Sequence, residues 1–376
     1  MRAIASDVLA SRPRRWPALA RTAGRALSAA WKIAAGLALT LHPLGAILVA
    51  GWTARLMQRT AFKAWWNGTP RPFRKLMTFR EAAQHTPGWT PLAGWPRWVL
   101  GPPGMAQGSF GNRVWHGVRG LWENARRGAV FLACSASVLL LPCALFALAW
   151  RHGGWTEKAD LLPRAAEYGL HFALAAGAPF VIAMFYLPMA QARLAVTDEW
   201  RLFFGFRFIR RVIRRRWLAC TLLAVSYAAA GLVPMAFAVA ARQQPEAFQS
   251  LPWPATLPVM FPLYVGLHVA AARIYASAVR HMLSTGEARA EDLSPAERLA
   301  FPPEITSPLA DMQGWSRRAA WMSWTLSLPF RIVCGLAVTA AWLLAAMEAF
   351  VSQAHHPESW PAWFAIPLAH FPWAHF

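Results

Sequence analysis

Charge is scarce in this chain of 376 residues, and acidic charge is the scarcest. Charged residues make up 15 % of the sequence, with 17 acidic residues against 38 basic ones, of which only four are lysine. A pI near 11.4 would indicate a nucleic-acid-binding protein in an otherwise polar chain. The hydrophobic fraction of 56 % and the mean hydropathy of +0.29 exclude a polar chain. They favour a multi-pass membrane protein, in which arginines collect in cytoplasmic loops and tryptophans, 22 in this chain, collect at the interfaces.

Reactive motifs are also missing. Four cysteines (Cys134, Cys143, Cys220 and Cys334) lie inside apolar runs and form no CxxC pair, so neither a zinc site nor a disulfide framework is indicated. The chain contains no Walker loop and no GxGxxG, HExxH, GxSxG or EF-hand pattern. We therefore predict a protein that is not an enzyme and that binds no metal and no cofactor.

Long apolar runs are what the sequence has instead. Five of them are long enough to cross a hydrocarbon core of about 30 Å as helices at about 1.5 Å per residue. They are Gly128–Trp150, Tyr168–Leu187, Trp217–Ala240, Leu257–Ile274 and Arg331–Phe350. The predicted fold class is therefore all-α, a polytopic helical membrane protein with five full spans, or six if residues 33–52 also cross.

The basic residues alternate between the loops that join these runs. Loop 191–216 has eight arginines against Asp198 and Glu199, whereas the tail 351–376 has neither lysine nor arginine. The positive-inside rule makes the basic loops cytoplasmic and the C-terminal tail non-cytoplasmic. The predicted plan is a basic cytoplasmic segment (1–32), a hairpin or first span (33–52), a cytoplasmic Trp/Pro/Arg-rich interfacial segment (53–127), a helical membrane domain (128–350) and an aromatic tail (351–376).

The run Ile33–Trp52 is the ambiguous one. Pro43 has no N–H to donate and clashes with the preceding helical turn, and Gly45 adds a flexible link. We expect a re-entrant hairpin that reaches mid-bilayer and returns, because this keeps the basic residues on both sides of it in the cytoplasm. A kinked full span with the N-terminus outside is the alternative.

The stretch FGFRFIRRVIRRRW, from Phe204 to Trp217, leads directly into a predicted span. On a helical wheel over 200–217, Leu202, Phe206, Ile209, Val212 and Ile213 gather on one face, and the arginines gather on the other. The run has no Asn, Gln, Ser or Thr that could read bases. We predict a basic amphipathic helix on a bilayer with anionic headgroups, and no nucleic-acid partner. The predicted lipid-contacting residues are Arg207, Arg210, Arg211, Arg214 and Arg215.

A few polar residues fall inside the predicted spans, and they are the candidates for an intramembrane polar site: His171, Ser226, Tyr264 and His268. A bis-histidine haem is disfavoured, because His171 would lie about 5 Å and His268 about 16 Å from the outer border, and the two ligands of one haem should lie at a similar depth. A polar cavity lined by these residues would indicate a transporter or channel for a small or amphipathic solute. No acidic residue lies at mid-membrane, which argues against a proton-coupled pump.

Three pieces of the chain, residues 51–66, 114–155 and 185–217, carry a resemblance. They look like a group of bacterial multi-pass membrane proteins, similar to a domain-of-unknown-function family whose members repeat a span followed by an Arg-containing cytoplasmic helix. The resemblance implies an inner-membrane location and transfers no catalytic residue. We expect a scaffold or accessory subunit of a membrane assembly, with other membrane proteins as partners, and keep the transporter or channel as the alternative.

Overall fold

The computed structural model describes residues 18–40, 42–68, 110–152, 163–227, 229–230 and 257–301, together with the single residues 329 and 333. This part of the chain is helical and contains no strand. The predicted span Arg331–Phe350 and the tail 351–376 lie outside the described residues, apart from Val333. The all-α class that the sequence predicts is confirmed for the described part.

The helices succeed one another with short breaks. In chain order they are α1 (Ala18–Thr40), α2 (Pro43–Asn67), α3 (Phe110–His152), α4 (Pro163–Thr197), α5 (Trp200–Phe203), α6 (Phe206–Arg215), α7 (Trp217–Tyr227), α8 (Leu257–Ser284), a 3₁₀ turn (Ala290–Asp292) and α9 (Pro295–Ala300).

Three stretches of these helices are long and apolar enough to cross a membrane. They are Val114–Leu145 in α3, Pro179–Thr197 in α4 and Val259–Ser284 in α8. Each coincides with a predicted span or overlaps one. α7 is apolar but shorter, and its predicted continuation to Ala240 lies beyond the described residues except for 229–230.

Three predicted boundaries fall inside helices. α2 continues past Trp52 to Asn67, and the end of the predicted interfacial segment 53–127 is fused with the first span into the single 43-residue helix α3. The predicted basic loop 191–216 begins too early, because α4 continues to Thr197 and its residues from Gln191 to Thr197 are buried. Residues of high helix propensity, Ala190, Gln191, Ala192 and Leu194, continue α4 across the start of that predicted loop, and the one arginine there, Arg193, is neutralised by the distant Glu297.

α1 and α2 meet at His42 and Pro43, where the sequence predicts a break. His42 Nδ1 accepts a hydrogen bond from the Leu44 N–H at 3.2 Å, and Pro43 begins α2 without an N–H of its own. The His42 N–H donates to the Leu39 carbonyl at 3.3 Å. These backbone donors are thus satisfied within the turn. Ile33 from α1 and Trp52 from α2 pack into one apolar cluster.

α2 and α3 cross at two glycines. A Cβ atom on Gly51 would lie 1.8 Å from the carbonyl oxygen of Asn124, and one on Gly128 would lie 1.9 Å from that of Ile47. Only hydrogen fits at either position, so the two helix backbones approach directly. This crossing fixes the position of α2 along the axis of α3.

Most of the described helices share one apolar core. Its members come from α2 to α9, whereas α1 packs on the smaller cluster around Val49 and Phe261. The largest fully buried side chains are Trp65, Tyr227, Tyr275, Phe62, Phe131, Phe180, Phe203 and Phe301. At one end of the bundle, the Phe301 ring packs against Trp65 with ring centroids 4.6 Å apart. The segment after α8 is therefore packed against α2.

Candidate functional site

A buried ion pair joins two helices that are far apart in the sequence. Arg193 lies in the last turns of α4, and Glu297 lies in the short helix α9. Ser294 caps α9, because its hydroxyl accepts the Glu297 N–H at 3.1 Å while the Glu297 carboxylate accepts the Ser294 N–H at 2.9 Å. This reciprocal capping box turns the Glu297 side chain towards the bundle.

The Glu297 carboxylate is fully buried, and it accepts hydrogen bonds from several donors. Arg193 donates to it through Nε at 2.8 Å and through Nη2 at 3.0 Å, and the Tyr275 hydroxyl donates at 2.8 Å. With the Ser294 N–H this makes four donors on two oxygens. A buried charge is tolerated where it is neutralised and hydrogen-bonded in this way.

The Arg193 guanidinium is held on its other sides as well. Its Nη1 donates to the Leu202 carbonyl at 3.2 Å, and it lies 4.3 Å from the centre of the Phe208 ring. Gly205 makes room for it, since a Cβ atom there would lie 2.1 Å from Nη1. We call Arg193, Glu297, Tyr275 and Ser294 the Arg–Glu hub. It ties α4, α8, α9 and the α5–α6 junction together.

The electrostatics of the hub favour the ionised carboxylate. Burial by itself raises the pKa of Glu297. The hydrogen bonds and charge of Arg193, with smaller contributions from Ser294 and Tyr275, outweigh burial and hold the pKa below its ordinary value. Glu297 is therefore ionised at neutral pH, and the hub is a closed, neutral unit.

A second polar cluster lies where α2, α3 and the end of α4 meet. Asp198 has φ 58 and ends α4, and its carboxylate lies 2.9 Å from Arg127 and 3.1 Å from Arg126. Glu123 lies 3.9 Å from the buried Arg55. Burial lowers the pKa of Arg55 and the charge of Arg127 lowers it further, while Glu123 raises it. This cluster carries more basic than acidic groups, and it fixes α4 against α2 and α3.

The predicted basic helix exists as α6 but is shorter than the helical wheel assumes. The chain breaks at Phe204 and Gly205, so residues 200–203 form a separate turn. Of the predicted apolar face, Ile209 and Val212 are buried in the protein, whereas Phe206 is 59 % exposed and Phe208 is buried in its place. The buried face of α6 packs on the protein itself, within the core shared with α4 and α8. Contact of its arginines with lipid stays a prediction.

The candidate intramembrane residues are only partly brought together. Tyr264 and His268 are buried side by side, and His268 Nδ1 lies 2.7 Å from the Tyr264 carbonyl. Tyr227 and Phe131 pack around the imidazole at 5.7 and 5.8 Å between ring centres. Ser226 is exposed and donates to the Leu222 carbonyl at 2.8 Å. The side chain of His171 lies outside the described residues.

The Arg–Glu hub is not predicted from the sequence. One signal is present, since Ser294-Pro295-Ala296-Glu297 has the spacing of a capping box. The pairing of Glu297 with Arg193 spans 104 positions and has no local signature. No group of three or more His, Cys, Asp or Glu side chains that could hold a metal ion occurs among the residues with described placement.

Comparisons with known protein families, with curated proteins and with solved structures find no match for this chain. The resemblance drawn from residues 51–66, 114–155 and 185–217 therefore stays a prediction.

Proposed function

We propose that this chain is a non-enzymatic integral protein of the bacterial inner membrane that serves as a scaffold or accessory subunit of a membrane assembly. The observation that carries the proposal is the closed packing at its polar sites. The charges of the Arg–Glu hub are satisfied inside the protein, and Tyr264 and His268 are packed among aromatic rings. Such groups hold helices in place and present no reactive side chain to a substrate.

The same geometry supports a scaffold over a transporter or channel. Ser226 lies on the exposed face of α7, while Tyr264 and His268 are buried against α3 and α7. These residues do not line a common path. On α7, Leu218, Leu222 and Val225 share the exposed face with Ser226, as expected for a face that meets lipid.

The positions of tryptophan and basic residues on either side of the α1–α2 turn support a re-entrant hairpin. Trp31 and Trp52 lie about ten residues on either side of His42, which corresponds to roughly 15 Å of helix on each arm. A basic residue accompanies each tryptophan, since Lys32 adjoins Trp31 and Arg55 lies one turn after Trp52. Tryptophan beside a basic residue is typical of the cytoplasmic interface, so both arms begin at that interface and the turn lies near mid-bilayer.

A single cysteine tests the hairpin. We expect a cysteine at Ser11, in a chain with the native cysteines removed, to resist a membrane-impermeant maleimide in intact cells and to react after permeabilisation. A cysteine in the non-cytoplasmic tail, at Ser359, is the matched control and should react in intact cells. Labelling of both positions from outside would establish a sixth crossing.

The scaffold role is tested by isolating the protein from its own membranes together with any bound partner. The full chain, purified from its own membranes in a mild detergent, should migrate with a stoichiometric membrane-protein partner whose level falls when the gene is deleted. A variant with the Arg–Glu hub broken (E297A) should restore that partner less well than the wild type, and the exposed-site variant E291A should restore it fully. Isolation of the chain alone, together with solute flux through liposomes containing it, would contradict the proposal and favour transport.

A further inference from the structure

The five predicted lipid-contacting arginines of α6 fall into two groups according to their contacts. Arg211 lies 3.5 Å from Asp292, and Arg215 lies 3.0 Å from Glu287 and 3.4 Å from His281. Both acidic partners belong to the segment that connects α8 to α9. Arg211 and Arg215 therefore contact that segment, and each has an acidic partner there.

The other three arginines point away from the protein. Arg207, Arg210 and Arg214 are exposed, and no ion pair joins them to any residue that the structure describes. At about 100° per residue they lie within a sector of roughly 60°, opposite the buried face of Phe208, Ile209 and Val212. Three uncompensated positive charges thus form one outward stripe along the helix.

Neighbouring residues place this stripe at the edge of the apolar region. Phe206, on the flank of α6 away from Arg211 and Arg215, is 59 % exposed and stacks on Tyr186 of the apolar helix α4 at 4.7 Å. α7 begins at Trp217, directly after α6, and its exposed face carries Leu218 and Leu222. One flank of α6 therefore borders the lipid-facing side chains, and the other borders the acidic segment after α8.

We propose that Arg207, Arg210 and Arg214 form a binding surface for the headgroup phosphates of anionic phospholipids, while Arg211 and Arg215 are structural and take no part. This inference rests on the membrane placement in the proposed function and adds the residues and the ligand class. The charges are complementary, and guanidinium groups bind phosphate through paired N–H donors. Exposed Phe206 provides an apolar contact for the adjoining acyl chain.

The test uses the purified full chain in detergent, with phosphatidylglycerol or phosphatidylcholine added and the bound lipid counted by native mass spectrometry. The wild type should bind phosphatidylglycerol in preference to phosphatidylcholine. The triple variant R207Q/R210Q/R214Q should bind phosphatidylglycerol roughly 100-fold more weakly. The variant R59Q/K63Q/R289Q is the matched control, because it removes the same number of exposed positive charges elsewhere and should keep wild-type affinity.

A second variant separates the two groups of arginines. R211Q/R215Q should keep the lipid affinity within about threefold, while hydrogen exchange at residues 285–294 increases. An equal loss of affinity in the triple variant and in its matched control would show that lipid binding depends on total positive charge and not on these three arginines, and it would overturn the inference. Unchanged affinity in the triple variant, or displacement of the lipid by excess inorganic phosphate, would overturn it too. Because no partner protein is present, failure here leaves the scaffold test unaffected.

Discussion

Replacing Glu297 by an uncharged residue should strongly lower the free energy of unfolding, although only one side chain changes. E297Q removes the one negative charge that pairs with the buried Arg193 guanidinium among the described residues, and the Arg193 side chain is 5 % exposed. Breaking one partner of a buried pair costs about 3–5 kcal/mol, because the other charge remains without compensation. R193M should cost a similar amount, since it leaves the Glu297 carboxylate with only Tyr275 and Ser294 as donors.

The double variant R193M/E297Q decides whether the pair itself is responsible. The double variant has no buried charge at this site. We therefore expect it to be about as stable as either single variant, which corresponds to a coupling energy of about 3 kcal/mol between the two substitutions. The measurements are denaturant unfolding in detergent and hydrogen exchange at 285–301. E291Q, an exposed acid in the same segment, is the control and should be neutral. Additive costs, or an E297Q change below about 0.5 kcal/mol, would refute the reasoning.

Four further predictions concern the crossing, the hub and the buried histidine. G128A should lower the melting temperature sharply because its Cβ has no room, whereas G117A and G266A, with open space around them, should be neutral or stabilising by up to about 1 kcal/mol. G205A should destabilise the wild type by pressing on Arg193, but much less in the R193M background. The stability that Glu297 provides is complete above its unfolded pKa of about 4.3 and should be lost as the pH falls through its lower folded pKa, so melting curves of wild type and E297Q should converge in acid. The purified protein should show no Soret absorbance, since His268 is packed between aromatic rings; a stoichiometric haem band would contradict this.

Hydropathy predicts the apolar parts of the fold because it reports a property of each segment alone. The predicted spans beginning at Gly128, Tyr168 and Leu257 lie within α3, α4 and α8. The helix ends are less predictable. The charge of Arg193 favours a loop over Gln191–Thr197, and only the distant Glu297 explains how that charge is buried.

Tertiary contacts likewise decide which residues of α6 are buried. The helical wheel treats residues 200–217 as one helix, but the break at Phe204 and Gly205 shifts the register of the residues after it. A Cβ atom at 205 would meet the Arg193 guanidinium, which occupies the space of a side chain. Phe208 then packs under Arg193, and Phe206 turns outward to Tyr186. A local pattern cannot contain this information, because the cause is a residue of another helix.

The ion pairs that join the described helices lie towards one end of the bundle. Arg55 comes from the middle of α2, Arg126 from the N-terminal half of α3, Arg193 from the C-terminal part of α4 and Glu297 from α9. An antiparallel α2–α3 crossing brings these parts together, because Gly51 meets Asn124 while Ile47 meets Gly128. Buried ion pairs add little net stability over apolar packing, yet each is costly to break. The hub therefore restricts how α9 can dock more than it strengthens the fold.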